Sequence, residues 1–157
     1  MAFQSQVYTE QALGKAGTIS RLNPIVKEPM IAEGSDVVAG CFVFAGTNPE
    51  LQVVGASANT VNATSVEGFA VMERYQVNLT GTTGSMAVNE GEELAVIKKG
   101  YCYTYVTAQA TRGDSVFVNT TTGAIATGAN AGTGEIDTGW KVVTGCAANH
   151  VCEIACI

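Results

Sequence analysis

The chain has few charged side chains, and this scarcity excludes several classes of protein. Only 14% of its 157 residues are Asp, Glu, Lys or Arg, whereas an average globular domain carries about a quarter. Eight basic residues stand against 14 acidic ones, and they form no basic run that would track a phosphate backbone. We therefore predict no nucleic-acid partner. A neutral surface of this kind suits a protein that packs against other proteins.

Long apolar runs are missing as well. No segment approaches the ~18 apolar residues of a membrane span. The opening MAFQSQVYTEQ lacks the basic and apolar regions of a secretion signal. We accordingly expect no membrane partner and synthesis in a reducing cytoplasm. There the five cysteines are expected to be free thiols that pack as small apolar groups.

Residue types that carry catalysis or bind metal are scarce too. No nucleophile elbow, P-loop or dinucleotide motif is present. One set of zinc-type ligands lies near the C-terminus: Cys146, His150, Cys152 and Cys156. On a strand, Cys152 and Cys156 would lie about 13 Å apart at ~3.3 Å per residue, too far for sulfurs that share one tetrahedral ion. We predict no metal, no cofactor and no enzymatic activity.

Two short motifs leave functional alternatives open. Residues 137–139 (DTG) match the active-site tripeptide of aspartic proteases, in which two carboxylates share a proton, so a dimeric protease using Asp137 is one alternative. Against it, Trp140 follows where that family has a small residue. Residues 112–114 (RGD) match a cell-adhesion motif, so a receptor-binding or adhesion module is the other. Both tripeptides are also ordinary turn sequences.

The distribution of apolar residues predicts an all-β fold. Short runs of Val, Ile, Tyr, Phe and Thr alternate with clusters of Gly, Asn, Asp and Thr, as strands separated by turns require. We predict strands at residues 37–45, 52–54, 66–75, 93–98, 100–108, 115–119, 140–143 and 151–157, and a loop at residues 127–134. This spacing favours a small β-barrel or a jelly-roll-like β-sandwich.

Residues 1–30 differ from the rest of the chain. Their apolar side chains follow neither a strand nor a helix period, and the prolines at positions 24 and 29 favour extended backbone before them. We predict an extended N-terminal arm at residues 1–30 and a single β domain at residues 31–157. The arm side chains predicted to contact a partner are Phe3, Gln6, Val7, Tyr8, Leu13, Ile19, Leu22 and Pro24.

The opening MAFQSQVYTEQALGKAGTISRLNPIV and the later GSDVVAGCFVF resemble the N-terminal pattern of the structural cement (capsid decoration) proteins of tailed bacteriophages. In that family a MAF-Q-x-x-V start leads through a Gly-containing stretch to an Asn-Pro and the first strand. The block from VEGFAVMERYQVNL to TTGAIATG also looks like the body of that family. The similarity spans nearly the whole chain, and it departs from the pattern at residues 14–17, where a Pro-containing segment is more typical.

The resemblance implies a virion structural protein. It would be made in the cytoplasm of the bacterial host, bind the outer surface of the phage capsid, and bridge neighbouring major capsid subunits to stabilise the head. It would also assemble with itself as a homodimer or homotrimer. In this interpretation the predicted arm contacts are contacts to the capsid.

Overall fold

One sheet of nine strands organises the molecule. The computed structural model describes residues 14–56, 65–72 and 87–157. Its strands are β1 (Ile19–Ala32), β2 (Phe42–Ala45), β3 (Gln52–Val54), β4 (Gly68–Val71), β5 (Glu93–Val106), β6 (Ser115–Asn119), β7 (Ile125–Gly128), β8 (Glu135–Thr144) and β9 (His150–Cys156). They are hydrogen-bonded in the order β1-β3-β2-β4-β5-β9-β8-β6-β7. The described residues form strands and no helix, so the predicted all-β fold is confirmed.

β5 is the strand that two halves of the sheet share. It pairs antiparallel with β4, with β9 and with β1. Because β1 also pairs with β3, the pairings through β3, β2, β4 and β5 return to β1 as a ring. β9, β8, β6 and β7 continue from β5 as antiparallel neighbours. The arrangement is sandwich-like.

Alternating side chains of the central strands fill two separate cores. All five strands of the ring contribute to the ring core, which comprises Met30, Ala32, Val37, Val43, Val53, Ala70, Val88, Leu94 and Val96. Side chains on their opposite faces, such as Phe69 and Ile97, pack against Trp140 and Ile154 in the interlayer core. β2, β4 and β5 are therefore buried on both faces over part of their length. Their sequences FVFA, GFAV and LAVI read as continuous apolar runs for this reason.

The interlayer core has an aromatic centre. The Phe42 and Phe69 rings meet edge to face with centroids 5.2 Å apart, and Trp140 lies 5.8 Å and 5.7 Å from them. Such contacts add to the free energy that burial of these large rings supplies. They join β2 and β4 of the ring to β8 of the second half.

Most predicted strands are present, with shifted ends. Strands at residues 52–54 and 115–119 lie where predicted, and residues 151–157 correspond to β9. The strand predicted at 37–45 begins only at Phe42, because Gly40 has a positive φ of 96° that interrupts it. The strand predicted at 66–75 is β4, and its last residues, 73–75, lie outside the described residues.

Gly100 explains one error in the predicted strands. The predicted strands at 93–98 and 100–108 are one strand, β5, with Gly100 inside it. A Cβ at this position would lie 3.3 Å from the Pro24 carbonyl oxygen and 3.5 Å from Ile25. The glycine lets β1 approach β5 closely, as glycines within strands often do. It does not end the strand.

The C-terminal half contains two further corrections. Residues 127–134, predicted as a loop, include the end of β7. This strand was missed because Ile125 is its one buried apolar side chain. The strand predicted at 140–143 starts earlier, at Glu135. Its pairing with β6 shifts register, and such an irregularity hides the alternation of side chains.

The second part of the predicted arm is a strand of the sheet. Residues from Ile19 onward are extended and pair with β5 of the same chain. This pairing continues past position 30, the predicted end of the arm. Register shifts between Ile19 and Lys27 break the strand period, which is why the sequence shows none there. The division into an arm at residues 1–30 and a domain at residues 31–157 stays a prediction.

Candidate functional site

The exposed side chains of β1 form the candidate contact surface. β1 runs along β5 from the pair Ile19–Cys102 to the pair Ile31–Glu93. Between Arg21 and Pro29 most of its side chains point to solvent. Leu22 is 89% exposed and Val26 is 47% exposed. A strand that exposes large apolar side chains over such a length is a candidate for contact with another protein.

Two more apolar side chains extend this surface at the other end of β1. Ile31 is partly exposed, and its backbone N–H donates to the carbonyl of Leu51, at 2.8 Å. The Leu51 side chain is also exposed. We call Leu22, Val26, Ile31 and Leu51 together the β1 surface.

A buried carboxylate fixes the start of β1 to the body. Arg21 Nε and Nη2 donate to the two carboxylate oxygens of Glu153 at 2.9 and 3.0 Å, in bidentate geometry. The hydroxyls of Ser20 and Thr144 donate to the same carboxylate at 2.7 and 3.2 Å. The guanidinium carbon also lies 4.5 Å from the ring centroid of Tyr101. Because Glu153 lies on β9, this cluster joins β1 to the second half of the sheet, in which β9 is the strand next to β5.

Electrostatics keep this pair charged. Burial raises the pKa of Glu153, but the hydrogen bonds from Arg21 and Ser20, the Arg21 charge and the Thr144 hydroxyl together outweigh burial and leave the pKa below its usual range. The hydrogen bond to Glu153 in turn raises the pKa of Arg21. Bidentate charged hydrogen bonds are directional as well as strong. The ion pair therefore sets where β1 starts on the sheet.

Backbone hydrogen bonds extend this attachment toward the N-terminus. Gly17 N–H donates to the Tyr103 carbonyl and Tyr103 N–H donates to the Thr18 carbonyl, both at 2.9 Å. The Gly17 carbonyl accepts from Met72 N–H at 2.7 Å. Residues 17 and 18 are thus tied to β5 and to Met72, the residue that follows β4.

The predicted contact residues fall into three groups. Leu22 and Pro24 are exposed on β1, where a partner could reach them. Ile19 packs against the interlayer core of its own chain. The remaining five lie outside the described residues: Phe3, Gln6, Val7, Tyr8 and Leu13.

Sequence reasoning missed Val26, Ile31, Leu51 and the Arg21–Glu153 pair. Val26 lies in the Pro-containing stretch, residues 1–30, that was interpreted as lacking any period. Ile31 stands at the predicted start of the β domain, where no strand was predicted. Glu153 stands between apolar residues in VCEIAC. A carboxylate in so apolar a run suggests a buried charge with a partner, and this was the available clue.

The zinc-type residues near the C-terminus do not converge. Among the described residues, which include every cysteine and the histidine, no group of three or more His, Cys, Asp or Glu side chains could hold a metal ion. All five cysteines are free thiols. Burial raises the pKa of Cys102 and of Cys152 to about 12, so both are protonated at neutral pH.

The acidic residues of the two tripeptides accept hydrogen bonds from nearby backbone N–H groups, Asp114 in a turn and Asp137 inside β8. Asp137 Oδ1 accepts a hydrogen bond from Gly139 N–H at 2.8 Å. Asp114 Oδ2 accepts one from Thr111 N–H at 2.8 Å, next to Gly113 with its positive φ of 95°. At Asp114 this is the local turn chemistry that such a sequence favours. The turn expected at residues 137–139 is wrong, because these residues lie in β8 next to its register shift against β6.

The described recesses add little to the candidate contact surface. A recess of about 580 Å³ is open and lies between residues 109–112 and 145–148. Apart from Arg112 and Cys146 its lining consists of Gln, Thr, Gly and Ala. No helix within the described parts of the chain has the length and hydropathy needed to cross a membrane.

An all-β body with one exposed and firmly attached strand, β1, offers a surface for contact with another protein. The family model described as "Structural cement protein (E217 gp24/Pam3 gp6)" matches residues 3–157. The chain belongs to this family of phage structural cement proteins. Its role is therefore that of a phage virion structural protein. The predicted family is confirmed.

Two solved structures share the fold. A chain in "The capsid of Myoviridae Phage XM1" aligns with a TM-score of 0.69 and 20% identity, over 99% of this chain and 97% of that chain. The head fibre gp8.5 N base of bacteriophage phi29 aligns with a TM-score of 0.50 and 12% identity, over 85% of this chain and 94% of that chain. At these identities the likeness concerns the fold. No curated protein matches the sequence.

Proposed function

We propose that this protein binds the outer surface of the phage capsid and bridges neighbouring major capsid subunits, so that it stabilises the head. Membership of the cement family supports this proposal. The single observation that carries it is the β1 surface, where Leu22 and Val26 are exposed on a strand that Arg21 and Glu153 hold in place.

A fixed strand is a favourable platform for binding. Burial of one Leu or Val side chain at an interface contributes about 1.5–3 kcal/mol. Because Arg21 and the backbone bonds at residues 17–18 already order the start of β1, little conformational entropy is lost there on binding. Many copies on one shell would then give high occupancy from a modest affinity per copy.

The residues before Gly14 extend the same proposal. Phe3, Val7, Tyr8 and Leu13 are large apolar side chains in a segment that leads into β1. We propose that they, with Gln6, follow the surface of an adjacent capsid subunit while β1 contacts the first. Extended segments commonly bind by pairing their backbone with an exposed strand and placing alternate side chains in pockets.

We also propose that the protein acts as a homodimer or homotrimer on the capsid. The low content of charged residues, 14%, supports self-association, because charged side chains are depleted in the centres of protein interfaces. Sedimentation equilibrium of the free protein would measure the oligomer directly. A monomer both in solution and on the shell would contradict this part.

The test of the main proposal uses expanded capsid shells that lack this protein. Purified protein mixed with such shells is expected to co-sediment with them at a fixed ratio to the major capsid protein. The decorated shells are expected to melt at a higher temperature than the bare ones. Absence of co-sedimentation would overturn the proposal. Binding without a rise in melting temperature would overturn the stabilising role.

A truncation separates the segment before Gly14 from β1. Removal of residues 1–13 leaves Gly17, Thr18 and Arg21 with their partners, so the β fold is expected to persist. Binding to shells is expected to weaken at least about tenfold, since several large side chains are lost and each is worth more than the ~1.4 kcal/mol of one decade. Equal binding by both proteins would show that this segment is not a contact.

A further inference from the structure

Residues 22–25 of β1 bulge away from regular pairing with β5. The residue before them, Arg21, pairs with Tyr101, and the residue after them, Val26, pairs with Lys99. Four residues of β1 therefore oppose the single β5 residue that lies between these two pairs. An ordinary β-bulge sets two residues against one, and bulges re-aim side chains that regular pairing would hold in the sheet. We call residues 22–25 the β1 bulge.

The apolar side chains of the β1 bulge point in two directions. Leu22 is the most exposed large apolar side chain among the described residues, at 89%, and Asn23 and Pro24 beside it are exposed too. Ile25 instead packs against the interlayer core. The bulge thus presents one apolar side chain to solvent while another attaches it to the body.

Gly100 allows the bulge to lie close against β5. This glycine is buried, and its positive φ of 149° lies outside the range that residues with a Cβ commonly adopt. A Cβ at position 100 would lie 3.3 Å from the Pro24 carbonyl oxygen, 3.3 Å from Ile97 and 3.5 Å from Ile25. A side chain there would push against both the bulge and the core beneath it.

Side-chain contacts hold β1 on both sides of the bulge. Before it, the bidentate pair of Arg21 and Glu153 fixes the strand. After it, the Glu28 carboxylate lies 3.4 Å from Lys98 Nζ, and Lys98 also pairs with Glu67, the residue before β4. A protruding segment whose two ends are held loses little conformational entropy on binding.

We propose that the β1 bulge inserts Leu22 into an apolar pocket on the major capsid protein, and that Gly100 positions the bulge for this insertion. The inference rests on the proposed function and names the shape and chemistry of the partner surface. A protruding apolar side chain with polar neighbours, Arg21 and Asn23, fits a pocket with an apolar floor and a polar rim. A flat partner surface would leave much of such a side chain in contact with water.

The first test uses the free protein. Backbone amide order parameters of Leu22, Asn23 and Ile25 are expected near the ~0.85 of rigid backbone, with Val96 in β5 as the internal control. Values below ~0.6 in the bulge would show a flexible segment. That result would overturn the inference whether or not the protein binds shells.

The second test varies the size of residue 22 and measures binding to expanded shells. Leu22→Met, which nearly conserves volume, is expected to bind within about threefold of the unmodified protein. Leu22→Ala and Leu22→Trp are each expected to bind at least about tenfold more weakly, because one leaves the pocket unfilled and the other exceeds it. Urea midpoints should not change, since position 22 is exposed. Tyr105→Trp, at a half-exposed position of β5, is the control for added bulk and should bind normally.

The outcomes separate this inference from the proposed function. Binding by Leu22→Trp as tight as that of the unmodified protein would indicate a flat contact and would overturn the pocket. Normal binding by all three Leu22 variants would overturn the inference and leave the proposed function standing. Absence of shell binding by the unmodified protein would overturn both.

Gly100→Ala tests the positioning role. The variant is expected to bind shells at least about tenfold more weakly, because the displaced bulge no longer presents Leu22 correctly. Leu22→Ala should then cause no further loss in the Gly100→Ala background, and a double-mutant cycle measures this non-additivity. Additive losses would reject the positioning role, since a merely structural effect leaves Leu22 as important as before. If Gly100→Ala fails to fold, Ile25→Ala, which removes the contact of the bulge with the core, supplies the same cycle.

Discussion

β1 and β9 lie beside the same strand, β5, yet β9 is buried along most of its length whereas β1 is exposed along most of its length. In β9 the four consecutive residues from Cys152 to Ala155 are buried. In β1 most residues from Arg21 to Pro29 are exposed, and only Met30 and Ala32 are buried. Backbone pairing with a common neighbour therefore does not decide burial. The side chains decide it, and they divide the two strands into one that stabilises the fold and one that presents a surface.

The largest difference in stability between the two strands is expected from a substitution in β9. Ile154→Ala removes a side chain that is fully buried in the interlayer core and is expected to cost about 2–5 kcal/mol of the free energy of unfolding. Leu22→Ala, at the exposed position on β1, is expected to change it by no more than about 0.5 kcal/mol. Urea denaturation of both variants measures the difference. Similar losses in the two would mean that β1 is as much a part of the core as β9.

The second prediction concerns binding to shells, for which β1 is expected to matter although it contributes little to stability. The double variant Leu22→Ser and Val26→Ser is expected to bind shells at least about tenfold more weakly, since each apolar side chain is worth about 1.5–3 kcal/mol when buried. Its urea midpoint is expected to match that of the unmodified protein. Tyr105→Ser, which removes another half-exposed side chain on β5, is the matched control and should bind normally. Normal binding by the double variant would remove β1 from the interface.

The third prediction concerns the ion pair that joins the two strands. Glu153→Gln removes the charge that Arg21, Ser20 and Thr144 bind, and it is expected to cost about 1–2 kcal/mol at neutral pH. Glu90→Gln, at an exposed turn, is the control and should cost nothing measurable. Shell binding by Glu153→Gln should also weaken, because the start of β1 loses its fixed position.

The same pair predicts a dependence on pH. The pKa of Glu153 is lowered in the folded protein, so its stabilisation is present above the unfolded carboxyl pKa of roughly 4.3 and is lost as the pH falls through the lower folded value. The difference in urea midpoint between the unmodified protein and Glu153→Gln should therefore shrink below about pH 4. A difference that stays constant from pH 7 to pH 3 would contradict the lowered pKa.

The smallest effect is expected at Arg112. This residue is exposed in the turn before β6, away from both strands of the comparison, and Arg112→Ala is expected to change the unfolding free energy by less than about 0.5 kcal/mol. Shell binding should be unchanged, and neither protein should retain animal cells on a coated surface. Retention of cells that Arg112→Ala abolishes would instead support an adhesion function.

Much of the fold could be predicted from sequence because its central strands carry an unambiguous pattern. Runs such as FVFA and LAVI are buried on both faces and remain apolar whatever the register, so the strands around Phe44 and Val96 were found. β1 and β7 were missed because few of their side chains are buried. β1 changes register repeatedly and exposes most of its side chains, whereas β7 buries only Ile125.

The candidate contact surface on β1 was only half predictable. Leu22 was identified because it is a large apolar residue in a polar stretch, and that reasoning needs no structure. Val26 required knowledge of which face of β1 lies outward, which the register shifts on either side of it hide. The pairing of Arg21 with Glu153, 132 positions apart, depends on β1 and β9 meeting at β5. No local pattern contains that information.

β5 contributes to both cores at once, and this has a consequence for how the protein unfolds. Leu94 and Val96 belong to the ring core while Ala95 and Ile97 belong to the interlayer core. Neither core can open without displacing alternate side chains of the same strand. We therefore expect a single cooperative transition in place of two independent ones. The slowest-exchanging amides of both halves should then report the same opening free energy, as if the molecule had one core folded around a common strand.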